Sequence, residues 1–391
     1  MPIDIERARC DTPAVNKILH FNNAGAALMP TPVLEAQLRH LRLEAEIGGY
    51  EAAAAADDRI EAVYDSIARL LNADRTEIAL VENATVAWDM AFYSIGFTSG
   101  DRILTAEAEY LSNYIAFLQV ARRTGAVVDI VPSDAAGELD IEALERMIDR
   151  RVKLIAITHV PTNGGLVNPV AEVGRIARAH DILYLLDACQ SIGQMPIDVA
   201  TIGCDMLSTT GRKYLRGPRG TGFLYVRRGV LDRLEPPFLD LQAASWVEAD
   251  RYVLRPDARR FENWERNVAG QLGLGAAVDY ALSWDLTDMA GRIETLAGEL
   301  RRLLAQIPGV SVRDRGRHLC GIVTFAVEGK PAHDIVAALG QRRMNCHRSA
   351  PGPTLLDAQS RQSPSFVRAS VHYYNTEEEV ARFAAAVAAL A

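Results

Sequence analysis

Residues 208–226 read STTGRKYLRGPRGTGFLYV and place a lysine, Lys213, between two strand-like segments. Most lysines of soluble proteins lie on exposed surfaces, whereas this one follows a run of hydroxyl side chains and Arg212. Hydroxyl groups beside an arginine are suited to hold a phosphate. A partly desolvated lysine near positive charge has a lowered pKa and acts as a nucleophilic amine. The stretch therefore predicts a reactive lysine at an anion-binding site.

Short apolar runs alternate with helical patterns on both sides of this stretch, over roughly residues 50–255. Examples are VKLIAITHV at 152–160 and ILYLLDA at 182–188, which flank the helical pattern PVAEVGRIARAH at 169–180. Short, fully apolar strands separated by helices indicate a mostly parallel sheet that is covered on both faces. We therefore predict an α/β fold with a large, mostly parallel sheet domain and helices on both faces.

The pattern changes near Asn267. One long helical stretch with a bend is followed by strands and helices to the end of the chain, which indicates a smaller α+β C-terminal domain. We predict a large domain at 1–265 and a small domain at 266–391, with the segment 1–50 packing on the small domain.

The composition argues against several classes of protein. A net charge of −8 disfavours a nucleic-acid-binding or anionic-membrane surface. The sequence has neither an apolar run of membrane-spanning length nor a signal peptide at its start. The five cysteines lack a CxxC spacing, which favours reduced thiols and a cytoplasmic location. They are Cys10, Cys189, Cys204, Cys320 and Cys346.

Ligands of open α/β sheets bind beyond the carboxyl ends of the strands. Ala84 and Thr85 follow one strand and begin a helix, where backbone amides and a hydroxyl hold a phosphate; alternatively, Asn83 only caps that helix. Asp187 follows four apolar residues, and a buried carboxylate needs a cation or donors; alternatively, it caps backbone amides. Together with Lys213, these features match pyridoxal phosphate, which requires a Schiff-base lysine, an acid for its ring nitrogen and an anion site.

The segment 185–226, LLDACQSIGQMPIDVATIGCDMLSTTGRKYLRGPRGTGFLYV, resembles class V aminotransferases of the fold-type I pyridoxal-phosphate enzymes. This superfamily includes cysteine desulfurases and selenocysteine lyases. The resemblance runs from FNNAGAALMPTPV at 21–33 to RASVHYYNTEEEV at 368–380, nearly the whole chain. It implies the pyridoxal-phosphate-dependent transferase fold of type I, the cofactor pyridoxal phosphate, a small amino-acid substrate and a homodimer with its active site at the interface.

The resemblance also implies roles for individual residues. Lys213 forms the Schiff base and moves a proton at the substrate Cα, and Asp187 pairs with the ring nitrogen. Gln190 approaches the phenolic oxygen of the ring, as does Thr162 or Asn163. The phosphate is assigned to Ala84, Thr85, Thr210 and Arg212, the last of which stands where relatives carry histidine.

Two further residues come from the same resemblance. The sequence AEYLSN at 108–113 lies where desulfurases have a Glu-His-His-x-Asn pattern, so Tyr110 would stack on the cofactor ring and protonate the leaving group. Arg368 would bind the substrate α-carboxylate through a bidentate pair; the alternative is a surface ion pair. His159 is more simply interpreted as a core histidine.

The chain departs from desulfurases in two places. The segment 345–370, NCHRSAPGPTLLDAQSRQSPSFVRAS, lacks a cysteine at the position of their mobile nucleophile, since Cys346 comes several residues too early. The segment 259–271, RRFENWERNVAGQ, lacks the Gly-Thr that reaches the partner subunit's phosphate, so Arg266 or Asn267 would replace it across a dimer interface. RFENWERN at 260–267 and RASVHYYNTEEE at 368–379 resemble the cysteine-free branch, with hercynylcysteine sulfoxide lyases and isopenicillin N epimerase-like enzymes.

We therefore predict a carbon–sulfur lyase that performs β-elimination on an S-substituted cysteine or its sulfoxide. An aminotransferase, an epimerase and an oxidative or decarboxylating enzyme remain alternatives, because all need the same lysine, aspartate and arginine. A non-catalytic protein of this fold is disfavoured by the joint presence of Lys213, Asp187 and Arg368.

Overall fold

The computed structural model describes residues 3–362 and 364–391. Helices of the large domain begin at capping residues; Asn83, for example, accepts a hydrogen bond from the Val86 N–H at 3.0 Å. The described α-helices, in chain order, are α1 (Ile5–Cys10), α2 (Thr31–Ile47), α3 (Gly49–Ala54), α4 (Asp57–Leu71), α5 (Ala84–Phe92), α6 (Leu111–Thr124), α7 (Ile141–Met147), α8 (Val170–Ala179), α9 (Val199–Ile202), α10 (Val268–Leu282), α11 (Leu286–Ala305), α12 (Ala332–Gln341), α13 (Leu355–Ser360) and α14 (Glu377–Ala388).

The strands are short and rich in Val, Ile and Leu, as the apolar runs predict. In chain order they are β1 (Leu19–His20), β2 (Ile78–Val81), β3 (Arg102–Ala106), β4 (Val127–Val131), β5 (Val152–Thr158), β6 (Leu183–Asp187), β7 (Met206–Thr210), β8 (Gly222–Val226), β9 (Ala244–Glu248), β10 (Arg251–Leu254), β11 (Val310–Val312), β12 (Ile322–Val327), β13 (Met344–Asn345), β14 (His347–Ser349) and β15 (Phe366–Ser370).

Seven strands form the large sheet in the order β2-β8-β7-β6-β5-β3-β4. All neighbours pair in parallel except β8, which runs antiparallel to β2 and β7. Every residue of β6 and β7 is buried, because helices cover both faces of the sheet. The predicted α/β class with a large, mostly parallel sheet is confirmed.

The C-terminal part contains a four-stranded antiparallel sheet in the order β11-β12-β15-β14. Its apolar core also takes in residues from the start of the chain: Phe21 stacks on Phe383 with ring centroids 4.5 Å apart. The Ser370 N–H donates to the Phe21 carbonyl at 2.7 Å. The predicted boundary between residues 265 and 266 stays a prediction; α10, just beyond it, packs on α2 and α4.

The stretch predicted as one bent helix forms two helices, α10 and α11. They are separated at 283–285, where the Asp285 carboxylate accepts the N–H groups of Thr287 at 2.8 Å and Asp288 at 3.1 Å. An aspartate that caps a new helix competes with continuation of the preceding one. Among the described helices, none has both the length and the apolar character needed to cross a bilayer.

A glycine pair tests the packing of α8 against α9. A Cβ added at Gly174 in α8 would lie 1.8 Å from the Ile202 carbonyl oxygen, whereas one at Gly298 in α11 would meet no atom within 4 Å. We expect Gly174→Ala to lower the free energy of unfolding by about 2 kcal/mol, because α8 must move away from α9. Gly298→Ala should raise it by about 0.5–1 kcal/mol. Denaturant unfolding measures both; a neutral Gly174→Ala variant would contradict this contact.

Candidate active site

A cavity of about 540 Å³ lies beyond the carboxyl ends of β2, β6 and β7. The loops that follow parallel strands converge at this edge of the sheet. The structure therefore brings residues from distant parts of the sequence to one wall. Seven of the predicted site residues line the cavity: Ala84, Thr85, Tyr110, Asp187, Thr210, Arg212 and Lys213.

Lys213 lies in the turn after β7 and is half-buried. Desolvation lowers the pKa of its amine below the ordinary value of 10.5, and the positive charges of Arg212 and Arg368 act in the same direction. The nearby Asp187 and Cys189 oppose this shift. A lowered pKa increases the fraction of neutral amine near pH 7, which is the form that attacks a carbonyl or accepts a proton.

Asp187 ends β6 and is 5% exposed. Its carboxylate accepts the Cys189 N–H at 2.9 Å and the Asn113 side-chain amide at 3.0 Å. The alternative interpretation, in which Asp187 caps backbone amides, therefore describes one of its two oxygens, Oδ1. Within the described chain no lysine or arginine pairs with it, so the site provides a buried negative charge that a cationic ligand group would balance.

Gln190, Thr162 and Arg368 are not among the residues that line this cavity, but they form a connected group of their own. The Gln190 amide donates to the Ala24 carbonyl at 3.1 Å and to the Thr162 hydroxyl at 3.3 Å. Arg368 donates to the Thr162 carbonyl at 2.9 Å and hydroxyl at 2.8 Å. Among the described residues, Gln190 Oε1 has no donor and Arg368 Nε has no acceptor.

Arg368 is a buried cation rather than a surface residue. It is 5% exposed, and burial lowers the pKa of its guanidinium to about 10. No carboxylate of the described chain forms an ion pair with it. Because an unpaired buried charge is costly, this arrangement fits an anionic ligand such as the α-carboxylate of an amino acid.

The start of α5 provides the anion-binding end of the cavity. Asn83 caps the helix through Val86, while the N–H groups of Ala84 and Thr85 belong to the first turn, which lacks intrahelical acceptors. Arg212 donates to the Gly25 carbonyl, and the Thr210 hydroxyl donates to the Thr221 carbonyl at 3.2 Å. The Thr210 hydroxyl must turn before it donates to a bound phosphate.

Asn163 lies outside this group. Its amide donates to the Ala350 carbonyl at 2.7 Å and to the Thr354 hydroxyl at 3.1 Å, so it fastens the segment before α13 to the large domain. Thr162, its neighbour, contacts Gln190 instead. His159 is buried, and burial lowers its pKa to about 4, so it is neutral at physiological pH.

Three residues near the cavity were missed at the level of sequence. Cys189 lines it, and Glu109 and Asn113 stand directly behind Asp187. A signal was present, because a glutamate just before a helix and an asparagine one turn into it place both polar groups on the same side. That they would meet Asp187 depends on the pairing of β3, β5 and β6.

Known proteins with similar sequences show to which family the chain belongs. The family model "Aminotransferase class-V" matches residues 19–383. The chain belongs to the class-V aminotransferase family. A probable cysteine desulfurase of Methanothermobacter thermautotrophicus is 31% identical over 96% of this chain and 95% of its own, and one of Xylella fastidiosa is 34% identical over 98% and 95%. The apo structure of a cysteine desulfurase from Thermococcus onnurineus NA1 has a TM-score of 0.89 at 28% identity, covering 100% and 98% of the two chains.

Membership of the class-V family confirms the predicted cofactor, pyridoxal phosphate. The cavity fits this group chemically: an acid without a cationic partner for the ring nitrogen, a helix N-terminus for the phosphate, and a lysine of lowered pKa for the aldehyde. Gln190 Oε1, which lacks a donor in the described chain, would face the polar edge of the ring. The individual assignments of residues to parts of the cofactor stay predictions.

Removal of the lysine amine tests the central assignment. We expect Lys213→Ala to abolish covalent attachment of the cofactor, measured as a cofactor-bearing peptide after borohydride reduction and mass spectrometry. Lys153→Ala, whose lysine pairs with Asp101 on the surface, should retain the modified peptide in full. Attachment that survives in Lys213→Ala would contradict the assignment.

Proposed function

We propose that this class-V enzyme is a carbon–sulfur lyase that performs β-elimination on an S-substituted cysteine or its sulfoxide. The overall reaction converts R–S–CH2–CH(NH3+)–COO− and water into R–SH, pyruvate and ammonium; a sulfoxide would release R–SOH instead. The observation that carries this proposal is the placement of the thiols, none of which lies on residues 351–362, the described segment that contains α13.

Cys346 is the last cysteine of the chain. It lies between β13 and β14 in the small-domain core, where burial raises the pKa of its thiol to about 12. The following segment, which Asn163 fastens over the large domain, contains Thr354 and α13 but no thiol. A protonated, packed thiol is a poor sulfur acceptor.

Cys189 is the thiol nearest to Lys213. Burial, followed by the negative charge of Asp187, raises its pKa well above the ordinary value. Its N–H is held by Asp187 at the end of β6. A fixed, protonated thiol in the cavity wall favours a role for Cys189 in packing rather than in sulfur transfer.

The remaining groups suffice for β-elimination. Pyridoxal phosphate supplies an electron sink for the bond broken at Cα. Arg368 binds the α-carboxylate and so determines which Cα bond is activated. Lys213, with its lowered pKa, accepts the α-proton and later returns protons, while Asp187 holds a proton at the ring nitrogen and Tyr110 protonates the departing sulfur.

Relatives named cysteine desulfurase also break the bond between Cβ and sulfur, which makes a persulfide-forming desulfurase the second candidate. Residues 260–267 and 368–379 resemble the cysteine-free branch of the family, and this resemblance favours the lyase over the desulfurase. The epimerase, aminotransferase and decarboxylating alternatives share Lys213, Asp187 and Arg368, and product analysis distinguishes them.

The decisive experiment supplies the purified holoenzyme with S-alkylcysteines, their sulfoxides, cystine, cysteine and ordinary amino acids. Pyruvate and ammonia in equal amounts, with no pyridoxamine phosphate, are expected for the preferred substrate. Conversion of the cofactor to pyridoxamine phosphate, reversed by a keto acid, would instead identify an aminotransferase. Alanine with enzyme-bound persulfide would identify a desulfurase.

A cysteine variant separates the two sulfur chemistries. We expect Cys346→Ala to retain kcat within about threefold, because the thiol takes no part in β-elimination. Cys204→Ala removes another buried thiol, from the large-domain core, and controls for lost packing. A loss of more than a hundredfold in Cys346→Ala alone would favour the desulfurase.

We further propose that the enzyme is a homodimer. A cleft of about 940 Å³ is lined by Tyr50, Trp264, Arg266 and Asn267, and the two aromatic side chains are largely exposed. Arg266 and Asn267 also border Gly220, which lines the cofactor cavity. A second copy seated in this cleft would cover the aromatic groups and complete the phosphate end of the site.

Trp264 tests this interface. We expect Trp264→Glu to yield monomers in analytical ultracentrifugation and to weaken cofactor binding at least about tenfold, because a charge would be buried against the second copy. Val127→Glu alters an exposed apolar residue on β4, away from the cleft, and should remain dimeric. A dimeric Trp264→Glu variant with normal cofactor binding would contradict the proposal.

All five cysteines are free thiols. Disulfides are rare in the reducing cytosol and frequent in secreted proteins. These free thiols support a cytoplasmic location.

A further inference from the structure

Glu109 is a buried carboxylate that none of the assignments above uses. It is 3% exposed and stands just before α6. One of its oxygens, Oε1, accepts the Tyr110 N–H at 2.8 Å, the Asn113 side-chain amide at 2.8 Å and the Thr158 hydroxyl. The other, Oε2, accepts the Thr158 N–H at 3.1 Å and the Thr105 hydroxyl at 3.2 Å.

Five donors on one carboxylate favour its charged form. Two of them, from Tyr110 and Thr158, are backbone N–H groups, which cannot reverse and accept a proton from Glu109. The carboxylate also stands at the positive end of the 14-residue helix α6. The Glu109 pKa is nevertheless raised to about 7, with burial as the largest cause; the hydrogen bonds from Thr158 and Asn113 lower it, and the charge of Asp187 raises it.

Asn113 connects this carboxylate to Asp187. Its side-chain nitrogen donates to Glu109 Oε1 at 2.8 Å and to Asp187 Oδ2 at 3.0 Å, so each of its two amide protons has one acceptor. Rotation of the amide would turn its oxygen toward the carboxylates and repel both. Glu109 therefore determines how Asn113 is oriented, and Asn113 determines which oxygen of Asp187 is already engaged.

The same carboxylate holds the residue that lines the cavity at the start of α6. The Tyr110 N–H donates to Glu109, and the Tyr110 side chain lines the cofactor cavity. One buried group thus supports two of the predicted ring contacts, Tyr110 and Asp187. A purely structural carboxylate would not need to be linked to both.

We propose that Glu109 is a positioning residue that, through Asn113, orients Asp187 toward the ring nitrogen of pyridoxal phosphate and, through its negative charge, favours protonation of that nitrogen. Two carboxylates joined by one amide place more negative charge behind the ring than Asp187 alone. This inference rests on the cofactor of the family and not on the carbon–sulfur lyase activity proposed above.

The test reconstitutes the holoenzyme with cofactor labelled by ¹⁵N at the ring nitrogen and measures the nitrogen chemical shift by NMR. We compare Glu109→Gln, Asn113→Ala and Glu138→Gln. Glu138 is a control, since it is a buried glutamate that instead pairs with Arg317. In Glu109→Gln and Asn113→Ala the signal should move from the protonated toward the deprotonated range at neutral pH, with kcat/KM at least about tenfold lower. Glu138→Gln should match the wild type in both readouts.

The double variant Glu109→Gln/Asn113→Ala should shift the signal no further than the larger single variant, because both changes break one connection. If Glu109→Gln does not fold, Asn113→Ala decides the matter, since it removes the connection and leaves the carboxylate. A wild-type nitrogen signal in folded Glu109→Gln or Asn113→Ala, whatever their activity, would overturn the proposal. The nitrogen signal does not depend on the substrate, so failure of the lyase proposal would leave this result intact.

Discussion

The burial of charged side chains at one edge of the large sheet is the constraint on which the candidate site depends. Asp187, Glu109 and Arg368 are all nearly inaccessible to water, and within the described chain none of them forms an ion pair with another side chain. Removing one partner of a buried ion pair typically costs about 3–5 kcal/mol. The fold tolerates these charges because hydrogen-bonding groups contact each of them.

Those charges come from distant parts of the chain. Arg368 lies on β15 of the small sheet, opposite Thr324 of β12 and His347 of β14, and it reaches Thr162 after β5 of the large sheet. Asn22, which follows β1, forms an isolated parallel bridge with Ser370 on the same strand. The site therefore forms only when the N-terminal segment, the large sheet and the small sheet are assembled.

The segment that contains α13 is fastened to the large domain by hydrogen bonds. Asn163, one of the predicted cofactor ligands, instead holds Ala350 and Thr354, and the Asp357 N–H donates to the Glu107 carbonyl at 3.1 Å. The segment that would need to carry a mobile thiol is thus docked by hydrogen bonds and contains a short helix, α13. This docking is consistent with a reaction in which sulfur leaves as a small molecule.

Local sequence was sufficient for much of this description. Apolar runs of strand length predicted the parallel sheet, and the residues that end them, Asp187 and Thr210, predicted its functional edge, because strand ends converge wherever parallel strands pair. Lys213 was recognisable from its unusual surroundings of glycine, hydroxyl groups and Arg212. The sequence did not predict that α10 and α11 are two separate helices. The helical pattern continues on both sides of the break, and it is the cap formed by Asp285 that starts a new helix.

Tertiary structure alone decided which polar groups meet. The sequence by itself predicted a lysine and an acid for the cofactor, because their chemistry and spacing are local properties. It did not reveal that Asn113 would join Glu109 to Asp187, that Thr162 rather than Asn163 would contact Gln190, or that Arg368 would be buried without a carboxylate. Those contacts depend on the lateral order of β3, β5 and β6 and on the seating of the small sheet, which are set by packing between segments far apart in the chain.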